Sequence, residues 1–464
     1  MFAGPNWSVN GKVMVVGAGL AGSEVAWSLA NAGVEVHLYE CKRKNPNPAQ
    51  RLSTFGELVC RNSLKSQESN SAHGILKFEM RDLGSIVWKV AQNSQVPAGS
   101  ALAVDRQQFS AEITQLLSQH PKIKIFEEEI TSLDLPLTSA VSDYDFVVVA
   151  SGPLTSSSLE NYIKTKLLDS PEDFYFYDAI APVVDGESLN WDKLYYKDRY
   201  KSSAECSDLS QIGYLNAPFT KEEYDRFVLE LVSAQKLPTR DFEDYKFFEG
   251  CLPIDTIAER GAEAPRFSCM KPVGLEFENG ERPHAVVQLR KENLLGTAFN
   301  LVGFQTRLTH KEQLRVFRMI PGFENARFIH LGSVHRNSFL NAKGLLNYDL
   351  SFKKNDRLYF AGQLVGVEGY TESASAGIYV AYQILRRLSN KERINWPLDC
   401  AIGALINYVM TAPKPRPSNI NYALFPPVVL DRQQRRRKDQ QSIKRDLIFK
   451  RARKSFVKFM ESYN

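Results

Sequence analysis

Gly17-Ala18-Gly19-Leu20-Ala21-Gly22 forms a GxGxxG turn, with a short apolar run, Val13–Val16, before it and a small-residue helix to about Asn31 after it. Gly17 allows the tight turn, Gly19 lets the backbone approach a pyrophosphate, and Gly22 lets helix and strand pack closely. The pyrophosphate then rests on the helix N-terminus, where free N–H groups and the dipole favour negative charge. A second strand, Val34–Tyr39, ends on Glu40, roughly twenty residues beyond the glycines, where a carboxylate can accept hydrogen bonds from ribose hydroxyls. Strand, turn, helix, strand and acid fall in register. The chemistry they fit is dinucleotide binding; the alternative is a glycine-rich turn without a ligand.

A second anchor lies in Leu358–Tyr382, LYFAGQLVGVEGYTESASAGIYVAY. A strand ending in Ala361-Gly362, then Gln363 and a glycine-rich loop, then a small-residue helix supplies another N-terminus able to face a polar ring edge. In flavoproteins of this architecture that helix steadies the negative charge of the reduced ring around N1 and O2. An ordinary strand–helix crossover would look similar. Tyr370 in this block could be a flavin-side general acid or base, or a stacking residue. Glu368 and Glu372 read as solvated loop carboxylates. His335-Arg336-Asn337 could bind a carboxylate tail or a phosphate, or form a turn.

Six cysteines, Cys41, Cys60, Cys206, Cys251, Cys269 and Cys400, are scattered, with no CxxC and no metal-ligand spacing. No metal is expected, nor is a disulfide oxidoreductase. The simplest setting is a reduced, cytoplasmic one, in which a special cysteine is a reactive thiol.

These residues need elements to position them. Tyr144–Ala150 reads as a buried strand running into Ser151-Gly152-Pro153, and Ile123–Glu129 as a shorter one. A helical stretch covers about Gly74–Asn93, and another Gln107–Leu117. From about Phe174 to Ile329 the βα rhythm is lost, although Ala285–Leu289 and Thr297–Val302 remain strand-like. Arg357–Gly362 then restores a buried strand, with a helix over Ser373–Leu388. The expected organisation is a discontinuous nucleotide-binding domain, 1–173 and 330–430, around an α+β insertion, 174–329, followed by a basic tail, 431–464.

Hydrophobic content of 43% and charged content of 24% are ordinary for a globular protein. No apolar run approaches a membrane span, and MFAGPNWSVN lacks the regions of a signal peptide. The net charge of +5 is uneven: residues 431–464 carry twelve Lys or Arg against four Asp or Glu, leaving the rest slightly acidic. Ile443, Leu447, Ile448, Ala452, Phe456, Phe459 and Met460 lie near helical spacing in that tail. A docked amphipathic helix with a basic outer face is expected, its phosphate contacts salt-sensitive. A membrane-surface helix is the weaker option.

GAGLAGSE, ELVCRNSLKS, VPAGSALAVDR, FFEGCLPI, FSCMKPVGL, NLVGFQTRL, VFRMIPG, HRNSF, YFAGQLVGVEGYTES and NYALFPP together resemble the folate- and flavin-dependent tRNA (uracil-5-)-methyltransferase family, TrmFO. The resemblance runs from Lys12 through the FPP segment. GidA-type tRNA-modifying flavoproteins share the AGQ…GY block but are longer and lack the ELVC-x-NS and EGCLP blocks. Gly56 and Arg61 stand where the family usually shows Ala and Ser, and Lys65 where it usually shows Arg. These departures leave the choice between tRNA and rRNA open.

The resemblance implies an α/β fold, with a Rossmann-like FAD-binding domain of the GidA-related kind and an inserted α+β domain. It implies 5-methyluridine formation in the T-loop of tRNA, the carbon passing from methylenetetrahydrofolate through reduced FAD, with NADH or NADPH as reductant. Uracil C5 is a poor nucleophile until a thiolate adds at C6. By the resemblance Cys251 is that nucleophile and Cys60 assists beside the flavin, while which sulfur attacks and the oligomeric state stay open. The competing readings are the same chemistry on rRNA, a GidA-like enzyme, and a flavoprotein kept only as an RNA-binding module. Neither thiol would be needed by the last.

Overall fold

The computed structural model describes residues 9–47, 50–134, 143–169, 176–199, 212–237, 252–292, 297–337, 339–412, 417–434, 437 and 439–463. Lys12–Val16, whose Val13 and Val15 are fully buried, lies inside a six-stranded sheet. The strand order is Ser351–Phe352, Asn355–Phe360, Phe146–Val149, Lys12–Val16, Glu35–Tyr39, Ile123–Phe126. All pairings are parallel except the first, which is antiparallel. Five carboxyl ends therefore share one edge, and from four of them Gly17, Glu40, Ala150-Ser151-Gly152 and Ala361-Gly362 emerge. Such an edge is where open α/β sheets bind ligands.

Helix Leu20–Asn31 packs against helix Tyr370–Leu388. The approach is close because Gly377 has no side chain: a Cβ there would lie 2.3 Å from the Ala21 carbonyl oxygen. The expected helix from Gly74 to Asn93 is two helices, Ala72–Asp82 and Ile86–Asn93. Gly84 breaks it in the left-handed region (φ +76°), and Ser85 caps the second piece through the N–H of Trp88. Helix Tyr370–Leu388 begins three residues before the expected Ser373, which places Tyr370, Thr371 and Glu372 in its first turn.

A second six-stranded sheet is antiparallel, in the order Tyr195–Tyr196, Tyr214–Phe219, Ala285–Lys291, Ala298–Leu301, Val183–Asp185, Phe328–His330. Its apolar side chains, among them Leu215, Val287, Leu289 and Phe299, form a core of their own with Phe227 and Leu231 of helix Lys221–Ser233. A Thr220–Glu223 capping box starts that helix. The first sheet has a separate core, which the C-terminal helix Gln440–Tyr463 completes with Ile448, Ala452, Phe456, Phe459 and Met460. Phe456 meets Phe78 and Phe459 meets Trp396, at centroid distances of 5.9 and 5.1 Å. Ile443 and Leu447 are only half-buried. No helix among the described residues is long and apolar enough to cross a membrane.

Candidate active site

Gly17 adopts φ +100°, and a Cβ on it would lie 2.6 Å from the Ala150 carbonyl oxygen. A Cβ on Gly22 would lie 1.8 Å from the Gly17 carbonyl oxygen, so neither position admits a side chain. Gly19 is different: a Cβ there would meet nothing within 4 Å. It would project into open space at the N-cap of helix Leu20–Asn31, where no side chain caps the helix. The leading N–H groups of a helix have no partners within it, which makes this end an anion site. Glu40 accepts the N–H of Ala18 at 2.8 Å and that of Lys42 at 2.9 Å. Its carboxylate thus fixes the turn and keeps lone pairs for further donors.

This turn lines a cavity of about 600 Å³ together with Ala150–Ser156, Cys60, Gln363, Tyr370 and Gly362, which lies against Ala21. Helix Tyr370–Leu388 also begins on this cavity, at Gly369 (φ +115°), again without a side-chain cap. A carboxylate, an uncapped N-terminus with glycine clearance, and a second uncapped N-terminus beside a thiol match the parts of FAD. The residues fit the group.

Tyr370 and Cys60 meet on the cavity wall. The tyrosine oxygen accepts the N–H of Cys60 at 2.8 Å and that of Arg61 at 3.1 Å, and lies 3.0 Å from Cys60 Sγ. Two accepted bonds occupy both lone pairs, so the phenolic hydrogen points to the sulfur. Burial, with the Cys60 sulfur adding to it, pushes the phenol well above its ordinary pKa. It stays protonated at neutral pH, a donor 3.0 Å from the sulfur.

The reading of Glu368 and Glu372 as solvated is corrected by their surroundings. Glu372 is fully buried, with Lys65 Nζ at 3.7 Å and His73 Nδ1 at 3.3 Å. It also accepts the Thr371 hydroxyl and the Ile420 N–H. Burial alone would raise its pKa; Lys65 and His73 outweigh it and hold the carboxyl well below its usual range. Glu368 is 8% exposed and accepts the Gln363 amide at 2.7 Å. Lys65 itself lines the cavity with a left-handed backbone, φ +63°, uncommon for a residue with a side chain. Behind it, burial lowers Lys77 to about 7.

The family model described as Glucose inhibited division protein A matches residues 12–392. A curated relative from Enterococcus faecalis is 47% identical over 418 residues, covering 89% of this chain and 92% of its own. One from Geobacter sulfurreducens is 47% identical over 423 residues, covering 90% and 94%. Both are named methylenetetrahydrofolate--tRNA-(uracil-5-)-methyltransferase TrmFO. The chain belongs to the TrmFO family. Among solved structures, Aquifex aeolicus GidA superposes with a TM-score of 0.66 at 17% identity, over 97% of this chain and 74% of that one. That likeness concerns the fold.

Of the residues expected to carry chemistry, Cys60 and Tyr370 are in contact on the cavity wall. Gly17, Gly19, Leu20, Ala21, Glu40, Gly362 and Gln363 line the same cavity. Ala18 and Gly22 lie behind it, both buried. Cys251 and Cys206 lie outside the described residues. His335, Arg336 and Asn337 are in strand Ser333–Asn337, paired with Phe176–Ile180 rather than in a turn. Cys41 lines the cavity close to Glu40, Cys269 is half-buried in the second sheet's core, and Cys400 is fully buried. The sequence showed no metal-ligand spacing, yet Asp225, Glu263 and His284 bring ligand atoms within 4.8 Å of one another. Asp225 and Glu263 are exposed and paired with Lys221 and Arg266. Sequence reading also passed over Arg290, which carries no motif, and over Asn62, although it is the Asn of the ELVC-x-NS block.

Proposed function

We propose that the chain is a flavin-dependent methyltransferase that methylates C5 of a tRNA uridine in the T-loop, taking its carbon from methylenetetrahydrofolate. The names of its TrmFO relatives support the substrates and the reaction. The observation that carries the reading is the 3.0 Å approach of Tyr370 Oη to Cys60 Sγ on the wall of a cavity that the glycine turn also lines. FAD bound there would supply electrons and relay the one-carbon unit, with NADH or NADPH as reductant. Leu20, Ala21 and Gly22 would hold its pyrophosphate, Glu40 its ribose, and Gly362, Gln363 and the N-terminus at Tyr370 its ring.

The chain's own residues then have separable tasks. A thiolate must add to uracil C6 before C5 becomes nucleophilic, and we assign that attack to Cys251. Cys60, its sulfur poised by Tyr370, assists by exchanging the proton that leaves C5. His335 and Arg336 are assigned to the folate side. Segments 1–173 and 330–430 act as the cofactor domain around the inserted 174–329, and the tail from 431 contacts RNA phosphates. The enzyme is read as cytoplasmic.

The test is incubation with labelled methylenetetrahydrofolate, a reduced nicotinamide and separate tRNA and rRNA transcripts, followed by nucleoside analysis. Labelled 5-methyluridine in tRNA is the expected product. Label confined to rRNA would move the target, and none in either would end the reading.

A further inference from the structure

Arg290 sits on strand Ala285–Lys291, is 5% exposed, and lines the cavity near Cys60 and Arg61. Its Nε donates to Asn62 Oδ1 at 2.7 Å. Asn62 is fully buried, and its amide nitrogen is committed to the carbonyls of Val104 (3.1 Å) and Lys291 (2.7 Å). The amide orientation is therefore fixed and so is the guanidinium. Beyond that bond, Arg290 has no hydrogen-bond or carboxylate partner among the described residues, and its Nη2 is a buried donor with none. The nearby acid, Glu292, is taken by Arg106, whose Nε lies 2.7 Å from its Oε2. Its cross-strand partner Asn300 is 2% exposed and has an unpartnered Nδ2.

A buried cation without a paired anion is costly. Burial lowers the Arg290 pKa, against the attraction of Tyr214 and Glu292 and with a smaller repulsion from Arg61 and Arg106. Arg290 is 5% exposed and lines the cavity, so a group that enters the cavity reaches it.

We propose that Arg290 binds the anionic oxygen that forms on the pyrimidine ring when a thiolate adds to C6. This rests on the uridine C5-methylation reading. In that step the S–C6 bond forms, the C5=C6 electron pair shifts toward C4, and the C4 oxygen takes the charge. C5 then takes an electrophile, which is a proton when no carbon donor is present, and no oxidant or reductant is consumed. A fixed N–H donor in a dry site stabilises such charge as it develops. Arg290 is then a catalytic residue of the addition step.

The experiment uses the full-length, FAD-loaded enzyme and a tRNA transcript containing 5-fluorouridine, with the covalent adduct resolved on a denaturing gel. In Arg290→Gln the adduct should form about 10²–10³-fold more slowly, while RNA affinity and the flavin spectrum stay near wild type. Arg290→Lys keeps the charge but not the fork, and should lose roughly tenfold or more; it decides the matter if the Gln variant fails to fold. Wild-type adduct rates in the variants would overturn the proposal. So would a weaker RNA affinity with a smaller salt slope and an unchanged rate at saturating RNA, which would make the anion a phosphate. A shifted flavin potential with an unchanged adduct rate would give the arginine to the cofactor and overturn it as well. If the wild-type enzyme itself forms no adduct, the methylation reading falls first.

Discussion

Tyr370 Oη and Cys60 Sγ lie 3.0 Å apart although 310 residues separate them in the chain. The same oxygen receives the N–H groups of Cys60 and Arg61, so the cysteine loop is pinned to the first turn of helix Tyr370–Leu388. A uracil or folate entering the cavity would meet a sulfur whose position depends on a distant helix.

Tyr370→Phe tests this pinning. The ring volume is kept, but two backbone N–H groups lose their acceptor and the sulfur loses its donor. A hydrogen bond to a charged group contributes about 1.5–3 kcal/mol, so alkylation of Cys60 at neutral pH should slow roughly tenfold or more. Labelling with iodoacetamide and peptide mapping measures it. An unchanged Cys60 rate would mean that the phenol does not point to the sulfur.

The glycine turn makes opposite demands at two positions. Gly19→Val places its side chain where nothing lies within 4 Å, so the apoprotein should melt normally yet bind no flavin. Gly22→Ala places a Cβ 1.8 Å from the Gly17 oxygen and should cost about 3 kcal/mol of stability. Flavin absorbance and thermal melting separate the two outcomes. Full flavin occupancy in Gly19→Val would remove this turn from the cofactor site.

The turn was legible because its requirements are backbone requirements, and glycine is the residue that meets them. The carboxylate of Glu40 could be placed for a similar reason, at a fixed distance down a βαβ unit. Glu372 could not. Its burial depends on Lys65 and His73, about 300 positions earlier, and a glutamate beside a glycine-rich loop looks solvated until they arrive. Arg290 was less legible still, since what distinguishes it is the lack of a partner in the folded chain. The tail helix was readable because Ile448, Ala452 and Phe456 repeat at helical spacing, whatever they pack on.

Acid should expose the Glu372 ion cluster. Its folded carboxyl titrates below the ordinary 4.5, so the folded state holds fewer protons there than the unfolded chain. The resulting stability is complete above about pH 5 and is lost as pH falls through 4.5 and below, at roughly 1.4 kcal/mol per unit of pKa difference. Glu372→Gln should lower stability at pH 7 by about 3 kcal/mol and flatten the acid limb. Denaturant melts between pH 3 and pH 7 measure both. A mutant that kept the wild-type slope would take Glu372 out of the cluster's energetics.

The C-terminal helix separates packing from charge. Its apolar side completes the core, so deleting it should destabilise the protein regardless of any RNA. Lys444, Lys450, Lys454 and Lys458 are exposed. Changing all four to Gln should leave melting and flavin content near wild type while weakening RNA binding. The log–log salt slope should fall by about 0.7–0.9 for each phosphate that is no longer neutralised. Filter binding at several salt concentrations reads it, and an unchanged slope would make the helix a packing element alone.

The sharpest demand falls on the thiols. If Cys251 adds to uracil C6, Cys251→Ala should bind FAD and RNA but form neither 5-methyluridine nor a covalent adduct with 5-fluorouridine RNA. Fluorine cannot leave C5 as a cation, so the C6 thioether persists and the cross-linked peptide can be mapped. Cys60→Ala should differ. With Tyr370 directing its proton to Sγ, Cys60 is suited to hold and return a proton, so its loss should slow methyl transfer while the adduct through Cys251 still accumulates. The roles could in principle be exchanged, because a poised thiolate is also a good nucleophile. Peptide mapping decides between them. An adduct attached at Cys60 would reverse the assignment, and efficient methylation by Cys251→Ala would end the case for thiolate attack from that position.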